Sequence, residues 1–558
     1  MTTDKLSVQS LIEICYQHGI KKVIFSPGSR NAPLVIGFMQ HKGFETLVIA
    51  DERVAAFHAL GQAIASKTPT VICCTSGTAA LNYGPAIAEA YYQQVPMLIL
   101  TADRPVEWID MGIGQSMRQK DVFHNYVKKS FQFVQEATHK DDLWYNERIA
   151  NAAINLCTST VPGPVHINLP FRESLYNQIK VTPKRHPILK VVMPKVDDTA
   201  PLDSDLIEIW KTSSKRLILI GQTQPNEILS ELIESLIAQN EVVVLAETTS
   251  NIRAQETIDC IDRVLPLIDN TEKYRPDLVL TIGGAIVSKR IKSFIKDAKP
   301  QHHWYVGLDE PKDTFQRLSR HLMMQPVTTL RLLVKQNGLV SSNFLKDWKK
   351  VKEKAQVLHS QFLAQTDYCD LKVFEIILRE LPEAAIVHFA SSTPIRYSQL
   401  FSELQSKHIV QCNRGVSGID GSTSTALGYS GCSDKLNILI TGDISFFYDS
   451  NAFWYNNRPT NLKVILINNG GGNIFKYISG PETTQQLHVF EASHQLNARP
   501  IAELHSLVYS IVSSLEQLIS ALPQFYKENN NEIGLLEIDT RKATNAEILR
   551  EYFSYLSR

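Results

Sequence analysis

Asp443 and the pair Asn468 and Asn469 each close a short apolar run, NILITGD at 437–443 and KVILINN at 463–469, and the second continues into GGGNIF. Length and β-branched content predict both runs as strands. A carboxylate, a carboxamide and an exposed glycine carbonyl are hard oxygen donors, a set suited to Mg²⁺, which commonly also holds substrate phosphates. The carboxyl ends of strands are where open α/β sheets take their ligands. The predicted chemistry is therefore a diphosphate group held through a divalent cation.

Other strand ends carry further candidates. KKVIF runs into SPGSRNAPL, where Pro27, Gly28 and Ser29 make a tight turn and Arg30 emerges. TLVIA runs into DERVAAFHALG, where Asp51 can cap a helix and Glu52 lies in its first turn. Two roles are open to Glu52: favourable interaction with the helix dipole, or hydrogen bonding to a ring nitrogen with which it shares a proton. Ser76, Gly77, Thr78, Ala79 and Ala80 are small enough to admit another backbone or a flat ring. PMLILTADRP delivers Arg104, and MGIGQSMRQ follows with Gln115; Gly112 and Gly114 there lack the strand–GxGxxG–helix context of a dinucleotide site. Later, FASSTPIRYSQ carries Ser391, Ser392 and Arg396, and CNRGVSGIDG carries Arg414, Ser417, Ile419 and Asp420. Arg30, Arg104, Arg396 and Arg414 all follow predicted strands; each alone reads as a surface ion pair, whereas four at strand ends favour a shared pocket for anions. Lys289 and Arg290 read as a solvated basic pair, and His302 and His303, with no carboxylate at ligand spacing, as structural.

The elements that must position these residues fall into three blocks of apolar, β-branched runs separated by helical lengths, the pattern of parallel α/β architecture. The first contains KKVIFS, TLVIA, TVICCTS, PMLILTA and PVHINLP. The second contains RLILIG, EVVVLAE, DLVLTIGG and HHWYVGLD, and fades into a polar helical stretch around 340–366. The third contains AIVHFASS, HIVQCN, NILITGD, KVILINN and IGLLEID. The predicted class is three doubly wound parallel-sheet domains in series, with a Pro- and Lys-containing linker from Tyr176 to about Asp203. The 558 residues accommodate that number of domains. Lysine plus arginine equals aspartate plus glutamate at 57 each, which argues against nucleic acid as the main partner. No apolar run approaches the ~20 residues of a membrane span, and the N-terminus lacks the layout of a signal peptide. Eight scattered cysteines without a CxxC pair fit a reducing cytoplasm and core packing rather than zinc.

Together these motifs resemble the thiamine-diphosphate enzyme superfamily, whose metal motif pairs GD with a later NN, here Gly442-Asp443 and Asn468-Asn469. The position after GD is usually glycine, whereas this chain has Ile444, a departure that recurs in one branch. SPGSR, DERVAAFHALG, TSGTA, LTADRP, NRGVSGIDG and NNGGGNIF are similar to that branch, the menaquinone-pathway 2-succinyl-5-enolpyruvyl-6-hydroxy-3-cyclohexene-1-carboxylate (SEPHCHC) synthases. The resemblance implies a pyrimidine-binding domain over 1–180, a central domain over 181–345 and a diphosphate-binding domain over 346–558. It implies thiamine diphosphate with Mg²⁺ or Mn²⁺ as cofactors, and a homodimer at least, with a tetramer open, because the cofactor lies between subunits. Asp443, Asn469 and the carbonyl of Gly471 would hold the metal, and Gly442, Ser445, Ser417, Asn473 and Ile474 would surround the cofactor. Ile419 would prop it into a bent form, and Glu52 would hydrogen-bond its aminopyrimidine ring. The implied substrates are 2-oxoglutarate and isochorismate, both dianions. Ser29, Arg30, Arg104, Gln115, Lys289, Ser392, Arg396 and Arg414 match substrate-contact positions, with Ile474 and Phe475 as an apolar wall. The competing readings are another thiamine-diphosphate decarboxylase or carboligase such as acetolactate synthase, and a non-catalytic scaffold.

Overall fold

The structure is a computed structural model that describes residues 1–558 except 181–185, 192–201, 269–271, 403, 405–406, 479 and 528–530, and except the side chains at 240 and 482. The predicted α/β class is observed. Each block builds one sheet, and every pairing described within these three sheets is parallel.

The first sheet runs, in spatial order, Glu45–Val48, Lys22–Phe25, Thr70–Cys74, Met97–Asp103, Val165–Pro170 and Ser130–Gln132. The third runs Ile409–Cys412, Ile386–Phe389, Asn437–Gly442, Leu462–Asn468, Gly534–Asp539 and Val508–Val512. Counted within its own block, each has its second strand outermost, then the first, third, fourth, sixth and fifth. The middle sheet is Val243–Ala246, Arg216–Ile220, Leu278–Ile282, His302–Val306 and Leu318–Leu322, the same order without the sixth strand. In all three, the winding reverses between the first and third strands, where a doubly wound sheet opens a crevice for ligand.

Central strands such as Thr70–Cys74 and Leu462–Asn468 are buried along their whole length, which is why they read as unbroken apolar runs. The strands that the sequence did not announce are all at sheet edges. Ser130–Gln132, Leu318–Leu322 and Val508–Val512 are only partly buried, so they need no continuous apolar run. Gln178–Ile179, inside the predicted linker, pairs antiparallel with Thr2–Thr3. Much of the remaining linker lies outside the described residues.

By contacts the chain divides into two compact units, one formed by Met1–Pro194, Asn413–Asp434 and Ser445–Leu462, the other by Lys195–Cys412, Lys435–Ile444 and Lys463–Arg558. Within the second unit, the buried Asn251 joins the middle and third sheets. Its carboxamide accepts from Val410 N–H at 2.7 Å and donates to Val410 O at 3.0 Å.

In the first unit, the helix Glu52–Ser66 is packed against the wholly buried helix Ser422–Ser430. The crossing depends on two glycines. A Cβ on Gly61 would stand 2.0 Å from Thr425 O, and one on Gly428 would stand 1.9 Å from His58 O. Both obstacles are backbone and cannot rotate away. Gly428→Ala is therefore expected to destabilise the unit by at least about 1–3 kcal/mol, the usual cost of overpacking. A thermal midpoint equal to the wild type's would show that the helices can part without loss.

Candidate functional site

The predicted site residues fall into two sets, one in each unit. In the first unit the reversal of winding lies between Lys22–Phe25 and Thr70–Cys74. A cavity of about 410 Å³ is lined by Glu52, Ser76, Gly77, Thr78, Ala79, Gln115, Ser116 and Met117. Glu52 is the sole ionisable residue among the described residues of that lining. The capping role falls to its neighbour: Asp51 Oδ1 accepts from Val54 N–H at 3.2 Å, and Oδ2 accepts from Asn451 at 3.0 Å. Glu52 is thus left to face the cavity, and burial, aided by Asp51, raises its pKa above the ordinary carboxylate value.

Backbone geometry holds the opposite wall. Gln115 has φ 54° and its carbonyl accepts from Ser76 Oγ at 2.8 Å. Gly77, at φ 90°, takes a backbone conformation that other residues rarely adopt, and a Cβ there would sit a tight 3.3 Å from Gln115 Cα. Gln119, which sequence reasoning passed over, is buried beneath. It accepts from Gly77 N–H at 2.8 Å and donates to Ala102 O at 3.1 Å. Arg104 donates to Gly114 O at 2.9 Å, beside Gln115. Ser29 precedes Arg30, whose N–H reaches Thr75 Oγ1 at 3.2 Å. The Arg30 guanidinium is not an open cation: it donates to Phe171 O at 2.9 Å and pairs with Glu173 at 3.0 Å.

Arg414, Ser417 and Ile419 belong to the same unit. Their loop is seated on Glu89, a buried carboxylate that accepts N–H bonds from Gly415 at 2.6 Å, Val416 at 2.7 Å and Ser417 at 3.2 Å. Three consecutive N–H groups form an anion-binding nest, here filled by the protein's own carboxylate. At the far end of the loop, Ser445 Oγ donates to Ile419 O at 2.8 Å. Nothing in the local sequence around Glu89 signals this role, since its partners lie more than three hundred positions away.

In the second unit Asp443, Asn469 and Gly471 lie together. Asp443 is 3% exposed; its Oδ2 accepts from Gly470 N–H at 2.8 Å and Gly471 N–H at 2.9 Å, and its Oδ1 accepts from Ile444 N–H at 2.7 Å. Desolvation raises its pKa, offset by these N–H groups and by His494, whose Nε2 lies 3.4 Å from Oδ2. His494 was not anticipated from sequence; it stands just after the helix Leu487–Glu491. A Cβ is excluded at Gly471, where φ is 143° and Glu491 O would be 2.7 Å away. The open space at Gly442 leaves its backbone approachable. Asn473 donates to Asn469 O at 3.0 Å and begins the short helix Ile474–Tyr477, which carries Ile474 and Phe475. One carboxylate, one carboxamide oxygen and a glycine carbonyl fit a magnesium-type oxygen site. The described residues hold no group of three or more His, Cys, Asp or Glu that could hold a metal ion.

That helix leads to a second cavity of about 480 Å³, lined by Lys289, Arg290, Arg396 and Arg550, with Asp262 the sole carboxylate among the described residues of its lining and Tyr397 and Tyr477 among the remaining walls. Lys289 and Arg290 stay exposed, as a solvated pair should, yet they line this cavity, and the Arg290 guanidinium lies 4.1 Å from the Phe553 ring centroid. Ser392, at φ 76°, precedes the helix that carries Arg396. An excess of cations in an enclosed space selects anions. His302 and His303 are strand residues, as expected: His303 is buried against Thr281 Oγ1 at 3.0 Å.

Arg396→Gln is expected to raise KM for an anionic substrate by about 10–100-fold, the loss of one or two charge-assisted hydrogen bonds, with a smaller change in kcat. A KM unchanged within about twofold would remove Arg396 from substrate binding.

Comparison with known proteins gives a consistent result. Residues 7–129 match the family model described as thiamine pyrophosphate enzyme, N-terminal TPP binding domain. Three similar proteins are each named 2-succinyl-5-enolpyruvyl-6-hydroxy-3-cyclohexene-1-carboxylate synthase. That of Flavobacterium johnsoniae is 41% identical over 98% of both chains. That of Porphyromonas gingivalis is 37% identical over 100% of this chain and 98% of its own. That of Bacteroides thetaiotaomicron is 35% identical over the full length of both.

Proposed function

The chain belongs to the SEPHCHC synthase family of thiamine-diphosphate enzymes, and from that premise we propose that it decarboxylates 2-oxoglutarate and adds the resulting four-carbon unit to isochorismate in a 1,4 sense, yielding SEPHCHC and CO₂ in menaquinone biosynthesis. The observation that carries this reading is the identity to named synthases along the whole chain, both outer blocks included.

Thiamine diphosphate supplies the electron sink for both carbon–carbon steps. Asp443, Asn469 and the Gly471 carbonyl would hold its Mg²⁺ or Mn²⁺, with Gly442, Ser445, Ser417, Asn473 and Ile474 around it and Ile419 beneath. Glu52 would hold a proton against the ring at its carboxyl group, in a cavity whose small side chains admit a flat heterocycle. Lys289, Arg396 and Arg414, with Ser29, Arg104, Gln115 and Ser392, would bind and orient the substrate carboxylates, Arg30 would join them by exchanging its exposed partner Glu173 for a substrate carboxylate, and Ile474 and Phe475 would keep water from the reacting carbon.

The same reading includes three domains at 1–180, 181–345 and 346–558, each range holding one parallel sheet, and a homodimer as the smallest active unit. It includes a cytoplasmic location, which suits eight cysteines of which seven are buried. No described helix is long and apolar enough to cross a membrane.

The test is a reaction with 2-oxoglutarate, isochorismate, thiamine diphosphate and Mg²⁺, each omitted in turn. The expected result is a SEPHCHC mass only in the complete mixture. CO₂ release with 2-oxoglutarate but no coupled product would point instead to a simple decarboxylase.

A further inference from the structure

Two adjacent asparagines close the strand Leu462–Asn468, and their hydrogen bonds tell them apart. Asn468 donates its NH₂ to Glu537 Oε1 at 2.6 Å and to Leu496 O at 2.9 Å, and its Oδ1 faces Gly470 N–H at 3.3 Å. Both ends of that carboxamide are therefore engaged inside the protein. Asn469 donates its NH₂ to Asp370 Oδ2 at 2.8 Å, and among the described residues no hydrogen bond takes its Oδ1.

Asp370 is itself rigidly held. It is 1% exposed, its Oδ1 accepts from Thr540 Oγ1 at 2.6 Å, and its backbone N–H is taken by Asn545 Oδ1 at 2.8 Å. Asn545 in turn donates to Thr540 O at 3.1 Å. A carboxylate accepts hydrogen bonds and offers none, so a carboxamide against it must present its NH₂. The oxygen of Asn469 then necessarily points the other way. The loop that follows is fixed by Asp443, which takes the N–H groups of Gly470 and Gly471.

We propose that Asp370 is a positioning residue for the divalent cation: it fixes the carboxamide of Asn469 with its oxygen toward the metal, while Asn468 serves only the strand end. This rests on the cofactor reading above. Partners of this kind orient metal ligands and strengthen them as donors, and their loss typically costs about 10–100-fold in metal affinity. The sequence separation of Asp370 from Asn469, with four of the third sheet's six strands between them, hides the pairing from any motif.

The test is direct titration of Mn²⁺, followed by its electron paramagnetic resonance signal, on purified protein with thiamine diphosphate present. Asp370→Asn keeps the shape but offers an NH₂, so Asn469 must turn its oxygen inward to meet it and its NH₂ toward the metal. Mn²⁺ affinity is expected to fall by about 10–100-fold, with the apoprotein's circular dichroism and melting unchanged. Adding Asn469→Asp to Asp370→Asn restores the pairing, because the new carboxylate accepts from the carboxamide introduced at position 370 with one oxygen and offers the other to the metal; affinity should return to within about threefold of wild type. A purely structural role for Asp370 predicts no such rescue. Equal Mn²⁺ affinity in Asp370→Asn and wild type would overturn the proposal. If that single variant does not fold, a folded double variant decides: Mn²⁺ binding supports the assignment and its absence overturns it. Failure of the wild type to bind Mn²⁺ with thiamine diphosphate would instead sink the cofactor reading on which the assignment rests.

Discussion

Glu52→Gln should lower kcat by about 10²–10⁴-fold, the usual contribution of a positioned acid–base group, while the protein still folds and still takes up thiamine diphosphate. The substitution keeps the side chain's size and removes its ability to exchange a proton. Two roles were open to Glu52 from sequence, and they differ in magnitude. A first-turn glutamate that only complements a helix dipole contributes about 0.3–1 kcal/mol of stability, and its loss would leave turnover intact. The structure divides these duties between neighbours. Asp51 caps the helix through Val54 N–H, whereas Glu52 lines a cavity otherwise built of uncharged residues. Burial raises its pKa, which brings its proton affinity closer to that of a weakly basic ring nitrogen and favours sharing a proton across a hydrogen bond. The measurement is steady-state turnover with cofactor binding followed separately. Full activity in Glu52→Gln would assign the residue to the helix dipole alone.

The second large effect is expected at Asp443. Asp443→Asn should weaken metal-dependent cofactor binding by more than about 100-fold, since a direct ligand should exceed the roughly 10–100-fold typical of its outer partners. The hydrogen bonds explain why even this isosteric change is severe. Oδ2 accepts from two glycine N–H groups and Oδ1 from Ile444 N–H. Whichever way an amide is turned, its NH₂ meets a backbone donor, leaving buried polar groups unsatisfied at about 1–3 kcal/mol each. On the proposed reading the variant would lose the charge that attracts the cation and displace the loop that carries Gly471. Thiamine diphosphate titrated at rising Mg²⁺, with intrinsic fluorescence as readout, checks this. Unaltered Mg²⁺ dependence would remove Asp443 from the metal site.

The positions of the candidate residues were legible in sequence because they sit at strand ends, and strands buried on both faces announce themselves as apolar runs. NILITGD and KVILINN located Asp443 and Asn469, and TLVIADE located Glu52, without any coordinates. The α/β class and the three-block organisation followed from the same runs. The edge strands did not, because Ser130–Gln132, Leu318–Leu322 and Val508–Val512 are only partly covered and carry mixed side chains.

What the chain by itself determined is which chemical groups are available and at which strand ends they emerge, since both depend on local composition. Only tertiary structure decided which of two adjacent asparagines keeps an oxygen to offer, that Arg30 is already paired with Glu173, and that Glu89 holds the Arg414–Ile419 loop. The physical reason is the same in each case. A side chain's orientation is set by a hydrogen-bond partner tens to hundreds of positions away, brought near by the winding of a sheet or the crossing of two helices, and no spacing within a motif encodes that partner.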